Sequence, residues 1–235
     1  MSKKRRILLK ITGEAFLSTQ NALDPSLINS LITQIKKLKD EIHFGIVIGG
    51  GNFFRGKEHG KRMGITPAIG HQIGIIGTLM NGLIIKDLLE QQGLATALLT
   101  AFTCPEIGTP TSDQAIHNSL DNDEIIIFAG GTGNPFFSTD TTAILRGLQI
   151  SAEQIWKASH IDGIYTADPK KDPHATLIKE TTFKYALDNH LGIMDATAFA
   201  LASEHKLTIK VFSAFVPDAL VSAAHKPSFG SIICS

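Results

Sequence analysis

A chain of 235 residues, 43% hydrophobic and 19% charged, has the make-up of a soluble globular protein long enough to bury a full core. Its 22 Lys+Arg balance 22 Asp+Glu, which leaves no electrostatic footprint for a nucleic acid or an acidic membrane, and neither is expected as a partner. The two cysteines, Cys104 and Cys234, exclude a disulfide framework and a structural zinc site and fit a reducing cytosol. The basic start Lys3-Lys4-Arg5-Arg6 resembles the front of a signal peptide, but Lys10 interrupts Ile7-Leu8-Leu9 before a hydrophobic region forms, so a cytoplasmic protein is expected.

In chain order, Ile7 to Ile11 reads as a strand that carries one charge, Lys10, and ends in the loop Thr12-Gly13-Glu14. Asp24 caps a helix with Pro25 at its first position, and Leu27, Ile28, Leu31, Ile32, Ile35 and Leu38 recur on one face. Phe44 to Ile48 is a buried strand feeding the glycine loop Gly49-Gly50-Gly51-Asn52-Phe53-Phe54-Arg55-Gly56. Ile69 to Gln92 is apolar almost all round, which predicts a buried helix lying between subunits, with Gly93 as its stop. Leu94–Leu99 is a strand, Asp113–Leu120 a helix, and Glu124–Phe128 a buried strand that runs into a second glycine loop, Gly130 to Gly133.

Ser138, Thr139 and Asp140 then suit the N-terminus of a helix to about Leu148. Ile155–Ala158 is a strand ending near Ser159, and the steps Asp168-Pro169 and Asp172-Pro173 forbid regular structure from Ala167 to His174. Thr182 and Asp195 open helices, and a strand at Leu207–Phe212, a helix at Pro217–His225 and a strand at Ser231–Cys234 complete the chain. With alternating β and α segments and no linker or repeat, the expectation is one α/β domain over residues 1–235, a three-layer αβα sandwich on a mostly parallel sheet.

The familiar nucleotide signatures fail. Gly51 to Lys57 has P-loop spacing, but Glu58 stands where a magnesium-binding Ser or Thr is required. Neither glycine loop has the third glycine of a dinucleotide fingerprint, no Gly-x-Ser-x-Gly elbow is present, and no histidines fall at zinc-ligand spacing. What remains is backbone donors at two strand-end glycine loops, with Lys10 and Arg55 as cations and Asp140 nearby, a set suited to phosphate groups.

Five runs carry a resemblance: Lys10-Ile11-Thr12-Gly13-Glu14; Val47 to Gly56; Gly131-Thr132-Gly133-Asn134-Pro135-Phe136-Phe137-Ser138-Thr139-Asp140; Asp162 to Pro169; and Met194-Asp195. Together they resemble bacterial uridylate kinase, of the amino acid kinase superfamily, over nearly the whole chain. The resemblance implies the amino acid kinase fold and the reaction of ATP with UMP to give ADP and UDP in pyrimidine nucleotide synthesis. Magnesium would accompany the ATP, no metal site would belong to the protein itself, and the assembly would be a cytoplasmic homohexamer. By position, Lys10, Ile11, Thr12, Gly13, Gly51 and Arg55 would hold the ATP phosphates, with Ser159, Tyr165 and Asp168 on its nucleoside side. Gly50, Arg55, His71 and the loop Thr132 to Thr139 would bind UMP. Lys10 would carry transition-state charge. Asp140 and Asp195 would hold cations or magnesium in place, unless they serve only as helix N-terminal carboxylates.

Three departures from the family pattern stand out. Thr12 replaces the usual serine and keeps a hydroxyl, the loop Phe16 to Ala22 is short, which argues against activation by GTP, and His71 replaces an aspartate. An imidazole accepts a hydrogen bond only through an unprotonated nitrogen. Two other readings stay open: a superfamily kinase acting on a carboxylate or carbamate, which has no use for Asn134-Pro135-Phe136-Phe137, and a non-catalytic nucleotide-binding regulator or storage protein on the same fold.

Overall fold

The computed structural model describes residues 4–17, 23–55, 60, 62–169, 171–189 and 191–235. Residues 18–22 of the short loop and 56–58 of the P-loop-like run lie outside them. Among the described residues, nine strands form one sheet: β1 (Arg5–Ile11), β2 (Ile42–Ile48), β3 (Thr96–Thr100), β4 (Thr109–Pro110), β5 (Ile125–Ala129), β6 (Gln154–Ser159), β9 (Glu180–Thr182), β10 (Thr208–Ser213) and β11 (Ser231–Cys234). A separate hairpin joins β7 (Ile164–Tyr165) to β8 (Leu177–Ile178). The sheet order is β4-β3-β5-β2-β1-β6-β10-β11-β9, and only the β10–β11 pairing is antiparallel. β1 therefore lies at the centre, and beyond Arg5 and Arg6 it is buried on both faces, which is why Ile7–Ile11 reads as an apolar run broken only by Lys10.

Helices cover both faces. One core layer joins α1 (Pro25–Leu38), α2 (Pro67–Gln91) and α7 (Ala219–His225) to the side of the sheet that carries Ile7, Leu9, Ile46 and Trp156. The other joins α3 (Asp113–Asp121), α4 (Thr139–Gln149), α5 (Phe183–Asp188) and α6 (Ala196–Glu204) to the side that carries Leu8, Val47, Ile155 and Val211. This is the expected three-layer arrangement. α1 shows how the local sequence achieves it: Asp24 Oδ1 accepts from the Ser26 and Leu27 amides, Pro25 needs no partner for its missing N–H, and Ile28, Leu31, Ile32, Ile35 and Leu38 are buried. The short strands β4, β7, β8 and β9 escaped the sequence reading because two or three residues cannot show alternation.

The apolar helix α2 is two-sided rather than fully buried within one chain. Gly77, Thr78, Asn81, Gly82 and Ile85 face the interior, whereas Ile69, Ile76, Met80 and Leu83 are exposed. Its length and composition would allow it to cross a bilayer, yet its inner face is shaped to the sheet, with Gly82 against Leu98, Ile127 and Ala129.

Candidate active site

Two lysines and an aspartate meet at the carboxyl end of the central strands. Lys10 and Lys157 are register partners on β1 and β6, so their side chains leave the same face of the sheet. Both are buried, and between them sits Asp140, the second residue of α4. Asp140 Oδ1 lies 2.9 Å from Lys10 Nζ, and its Oδ2 lies 2.9 Å from Lys157 Nζ. Lys10 also donates to Thr12 Oγ1 at 3.3 Å, and Lys157 donates to the Ile193 carbonyl. Lys157 donates to two oxygens and has one N–H left over, whereas Lys10 donates to Thr12 and faces an Asp140 Oδ1 that accepts no hydrogen bond among the described residues.

Burial pushes the Asp140 carboxyl upward, but the flanking Lys10 and Lys157 charges more than reverse this and hold it below the usual carboxylate range. Burial drives the Lys157 ammonium down from its ordinary value, with Asp140 opposing that shift. Two ammoniums thus flank one carboxylate, and the Asp195 charge also acts on Lys157. Asp195 is occupied differently: it caps α6 by accepting from the Ala198 amide at 3.0 Å and takes the hydroxyls of Ser138 and Thr141. It thereby ties the N-termini of α4 and α6 together. Asp140, in the first turn of α4, thus faces two ammoniums, while Asp195 caps α6.

Both glycine loops are fastened to α2. The Asn81 amide donates to the Gly49 carbonyl at 2.7 Å and exchanges hydrogen bonds with Asn52 at 2.8 and 3.0 Å, all buried. A Cβ at Gly50 would lie 2.4 Å from the Gly74 carbonyl oxygen, so only glycine lets the loop reach the helix so closely. The second loop is held by Thr78 Oγ1, which accepts from the Gly130 amide at 2.8 Å. Across the sheet end, Gly49 N donates to Ile11 O at 3.0 Å, and a Cβ on Gly13 would meet Gly49 O at 2.2 Å. Gly13→Ala is therefore expected to push these loops apart and to lower stability by about 1–3 kcal/mol in denaturant titration, with loss of activity. An unchanged midpoint would show that the loops are not locked together.

Two clefts adjoin the cluster without being lined by Lys10, Asp140 or Lys157, one reaching Thr139, next to Asp140, and the other Ile193. One, of about 190 Å³, lies between the glycine loops and is lined by Gly50, Gly51, His71, Thr132, Asn134 and Thr139 among others. Phe136 and Phe137 are exposed, and Phe136 has φ 73°, a conformation a bulky side chain rarely takes. Its ring packs against His71 with centroids 4.9 Å apart. Pro135 is half-buried beside it. The other cleft, of about 600 Å³, is lined by Tyr165, Asp168, Pro169, Leu191 and Ile193, the last being the residue whose carbonyl holds Lys157. The Tyr165 hydroxyl donates to Asp162 at 2.8 Å, and Ser159 is buried at the adjoining end of β6. Arg55 lines neither cleft; its Nε pairs with Glu14 at 3.2 Å, joining the first glycine loop to the turn after β1.

Residues 5–213, from β1 to the end of β10, match the sequence model of the amino acid kinase family. The chain belongs to the amino acid kinase family. Within it, the chain is 36% identical to the uridylate kinase of Pseudomonas fluorescens over 99% of this chain and 94% of that protein. It is 39% identical to the uridylate kinase of Salmonella typhimurium, over 97% and 95%. The crystal structure of UMP kinase from Ureaplasma parvum superposes with a TM-score of 0.94 at 31% identity, covering 99% of this chain and all of that one.

In this amino acid kinase, Lys157, Asn81 and Thr78 were missed in the sequence. A signal existed for Lys157: it is the lone charge within the apolar run Ile155–Ala158, as Lys10 is within Ile7–Ile11. Central strands buried on both faces do not carry a lysine without a partner. Asn81 and Thr78 had no such signal, because a polar residue within an apolar helix does not reveal which loop it will meet.

Proposed function

We propose that the protein is a UMP kinase, transferring the γ-phosphoryl group of ATP to UMP to give UDP and ADP. The observation that carries this is the buried Lys10–Asp140–Lys157 cluster, which adjoins the smaller cleft through Thr139, next to Asp140, and the larger through Ile193, whose carbonyl takes Lys157. ATP occupies the larger one, its phosphates over Lys10 to Gly13 and Gly51 and its nucleoside beside Ser159, Tyr165 and Asp168. UMP occupies the smaller, between Gly50, His71 and the loop Thr132 to Thr139, and Arg55 would have to turn from Glu14 to reach it. The attacking phosphate oxygen is already an anion, so no general base is required, and the work reduces to alignment and neutralisation of spreading charge. The spare N–H groups of Lys10 and Lys157 supply that charge. Asp140 sets the two ammoniums in place, and Asp195 is a positioning residue that fixes the helix bearing Asp140.

Both Asp140 oxygens face lysines, both Asp195 oxygens accept protein hydrogen bonds, and no group of three or more His, Cys, Asp or Glu gathers among the described residues. Magnesium comes with ATP, whose β- and γ-phosphate charge it neutralises. The chain works in the cytoplasm as a homohexamer of one-domain subunits, in which the bare face of α2 is covered by neighbours. Incubating ATP with UMP should yield UDP and ADP in equal amounts by phosphorus NMR, and chelation should stop the reaction while leaving the protein folded. A thermal midpoint that falls on chelation would point to a protein-held metal, and ADP formed without UDP would overturn the reading.

Base selection is assigned to the backbone of the second glycine loop. The Asn134 amide turns back to the Thr132 carbonyl at 3.2 Å, and Asn134 is exposed, so its side chain is a poor base reader. Backbone groups held by positive φ at Gly131, Gly133 and Phe136 cannot exchange donor for acceptor. Cytosine inverts two positions of uracil's hydrogen-bonding edge. CMP should therefore fall below UMP in kcat/KM by on the order of 100-fold or more. Comparable values would move base selection to another element.

A further inference from the structure

Arg146, on α4 one turn beyond Thr142, is buried although no carboxylate balances its charge. Burial alone acts on the guanidinium and draws its pKa down from the ordinary value. Its Nε has no hydrogen-bond partner among the described residues, one terminal nitrogen donates to Gln149 at 2.6 Å, and the guanidinium carbon lies 5.6 Å from the centre of the Phe128 ring. The other terminal nitrogen lies 3.5 Å from the Gly131 carbonyl, long for a hydrogen bond but close for a charge facing a dipole. An apolar side chain would fill this place at lower cost, because an uncompensated buried charge carries a desolvation penalty that contact with a ring offsets only in part.

The contact falls on the loop that walls the smaller cleft. Gly130 and Gly131 have φ of 85° and 61°, and the turn is fastened to two helices: the Gly130 amide to Thr78 on α2 at 2.8 Å, the Gly131 carbonyl to Arg146 on α4. In a planar trans peptide the C=O and the N–H point in opposite directions, so a Gly131 carbonyl drawn to Arg146 turns the Thr132 N–H away from it. Thr132 lines the cleft, and its amide donates to no protein group among the described residues. Glycine at 131 leaves the reverse orientation of this peptide accessible, since it tolerates either hand of φ. We propose that Arg146 is a positioning residue for base selection, holding the Gly131–Thr132 peptide with its N–H rather than its C=O toward the acceptor base; this rests on the UMP kinase reading, with the second glycine loop as the base reader. Without the charge the peptide turns over and a donor on the cleft becomes an acceptor, the same kind of change that separates the hydrogen-bonding edge of uracil from that of cytosine.

Steady-state kinetics with UMP and CMP on wild type, Arg146→Met and Arg146→Lys, together with urea midpoints, decide the matter. Arg146→Met should lower the ratio of kcat/KM for UMP to that for CMP by at least about tenfold, chiefly through the KM of the nucleoside monophosphate, with the KM for ATP fixed. Its urea midpoint should stay level or rise, since an uncompensated buried charge has been replaced by an apolar chain. Arg146→Lys, which keeps a cation near the carbonyl, should fall between the two in selectivity. An unchanged ratio in Arg146→Met overturns the inference, as does a loss shared equally by UMP, CMP and ATP, the mark of a merely structural residue. If Arg146→Met does not fold, amide hydrogen exchange in the wild type decides instead: the Thr132 amide should exchange freely without ligand and slow on adding UMP, and a Thr132 amide protected in the free protein overturns the inference. Wild type that turns over UMP and CMP alike removes the loop as base reader and the inference with it. Wild type that turns over neither is a different failure, that of the UMP kinase reading itself.

Discussion

Lys10→Ala is expected to lower kcat by at least about 100-fold, with a smaller change in the KM of either substrate. The basis is that Lys10 is buried, faces Asp140 at 2.9 Å and, among the described residues, donates a hydrogen bond to Thr12 alone. Removing a preorganised electrostatic donor from a water-poor site costs about 10²- to 10³-fold in kcat, since the stabilisation is realised chiefly as charge spreads in the transition state. Lys157→Met, which keeps the length of the side chain and loses its charge, should behave in the same way. The double variant should cost far less than the product of the two, because the lysines act as one unit through Asp140. A Lys10→Ala enzyme of near-native kcat would remove Lys10 from the chemistry, and a fully multiplicative double variant would show that the two lysines work independently.

Asp140→Asn should have the larger effect on the folded state. The substitution keeps the volume and removes a carboxylate that contacts both buried ammoniums. Breaking a buried ion pair from one side costs about 3–5 kcal/mol, a large part of the ~5–15 kcal/mol by which a domain is stable. The pH dependence follows from the same contact. A carboxyl whose folded pKa is depressed contributes stability that is fully present above the unfolded value of about 3.9 and is lost as pH falls through the folded value. Urea midpoints of wild type and Asp140→Asn should therefore differ most near neutrality and converge in acid. Curves that remain parallel down to acid pH would show that Asp140 is not the charge that holds the lysines. Loss of activity without loss of stability would point to direct contact with substrate.

The three layers and most of their elements were legible because the long strands are buried on both faces and the helices carry clear caps, such as Asp24 before Pro25 and Ser138 before Thr139. The glycine loops were legible for the same kind of reason, since three consecutive glycines after an apolar strand have few structural uses. The partner of Asp140 was not. Lys157 is 17 positions from Asp140 and 147 from Lys10 in sequence, and only the β1–β6 register places the two lysines side by side. Nor could periodicity resolve α2: a helix apolar all round gives no face, and its division into a side that clasps two loops and a bare side follows from where the sheet lies. Nor does sequence show that Arg55, expected to meet nucleotide, pairs with Glu14 across the turn after β1.

The central claim is that the cluster delivers phosphoryl groups to a nucleoside monophosphate carrying uracil. The most direct measurement is initial-rate ADP release at fixed ATP and magnesium with UMP, AMP or acetylglutamate as acceptor. The account predicts turnover with UMP, little with AMP, and none above the no-acceptor rate with the carboxylate. Turnover of acetylglutamate or AMP that equals or exceeds that of UMP, or ADP release that no acceptor stimulates, would contradict it.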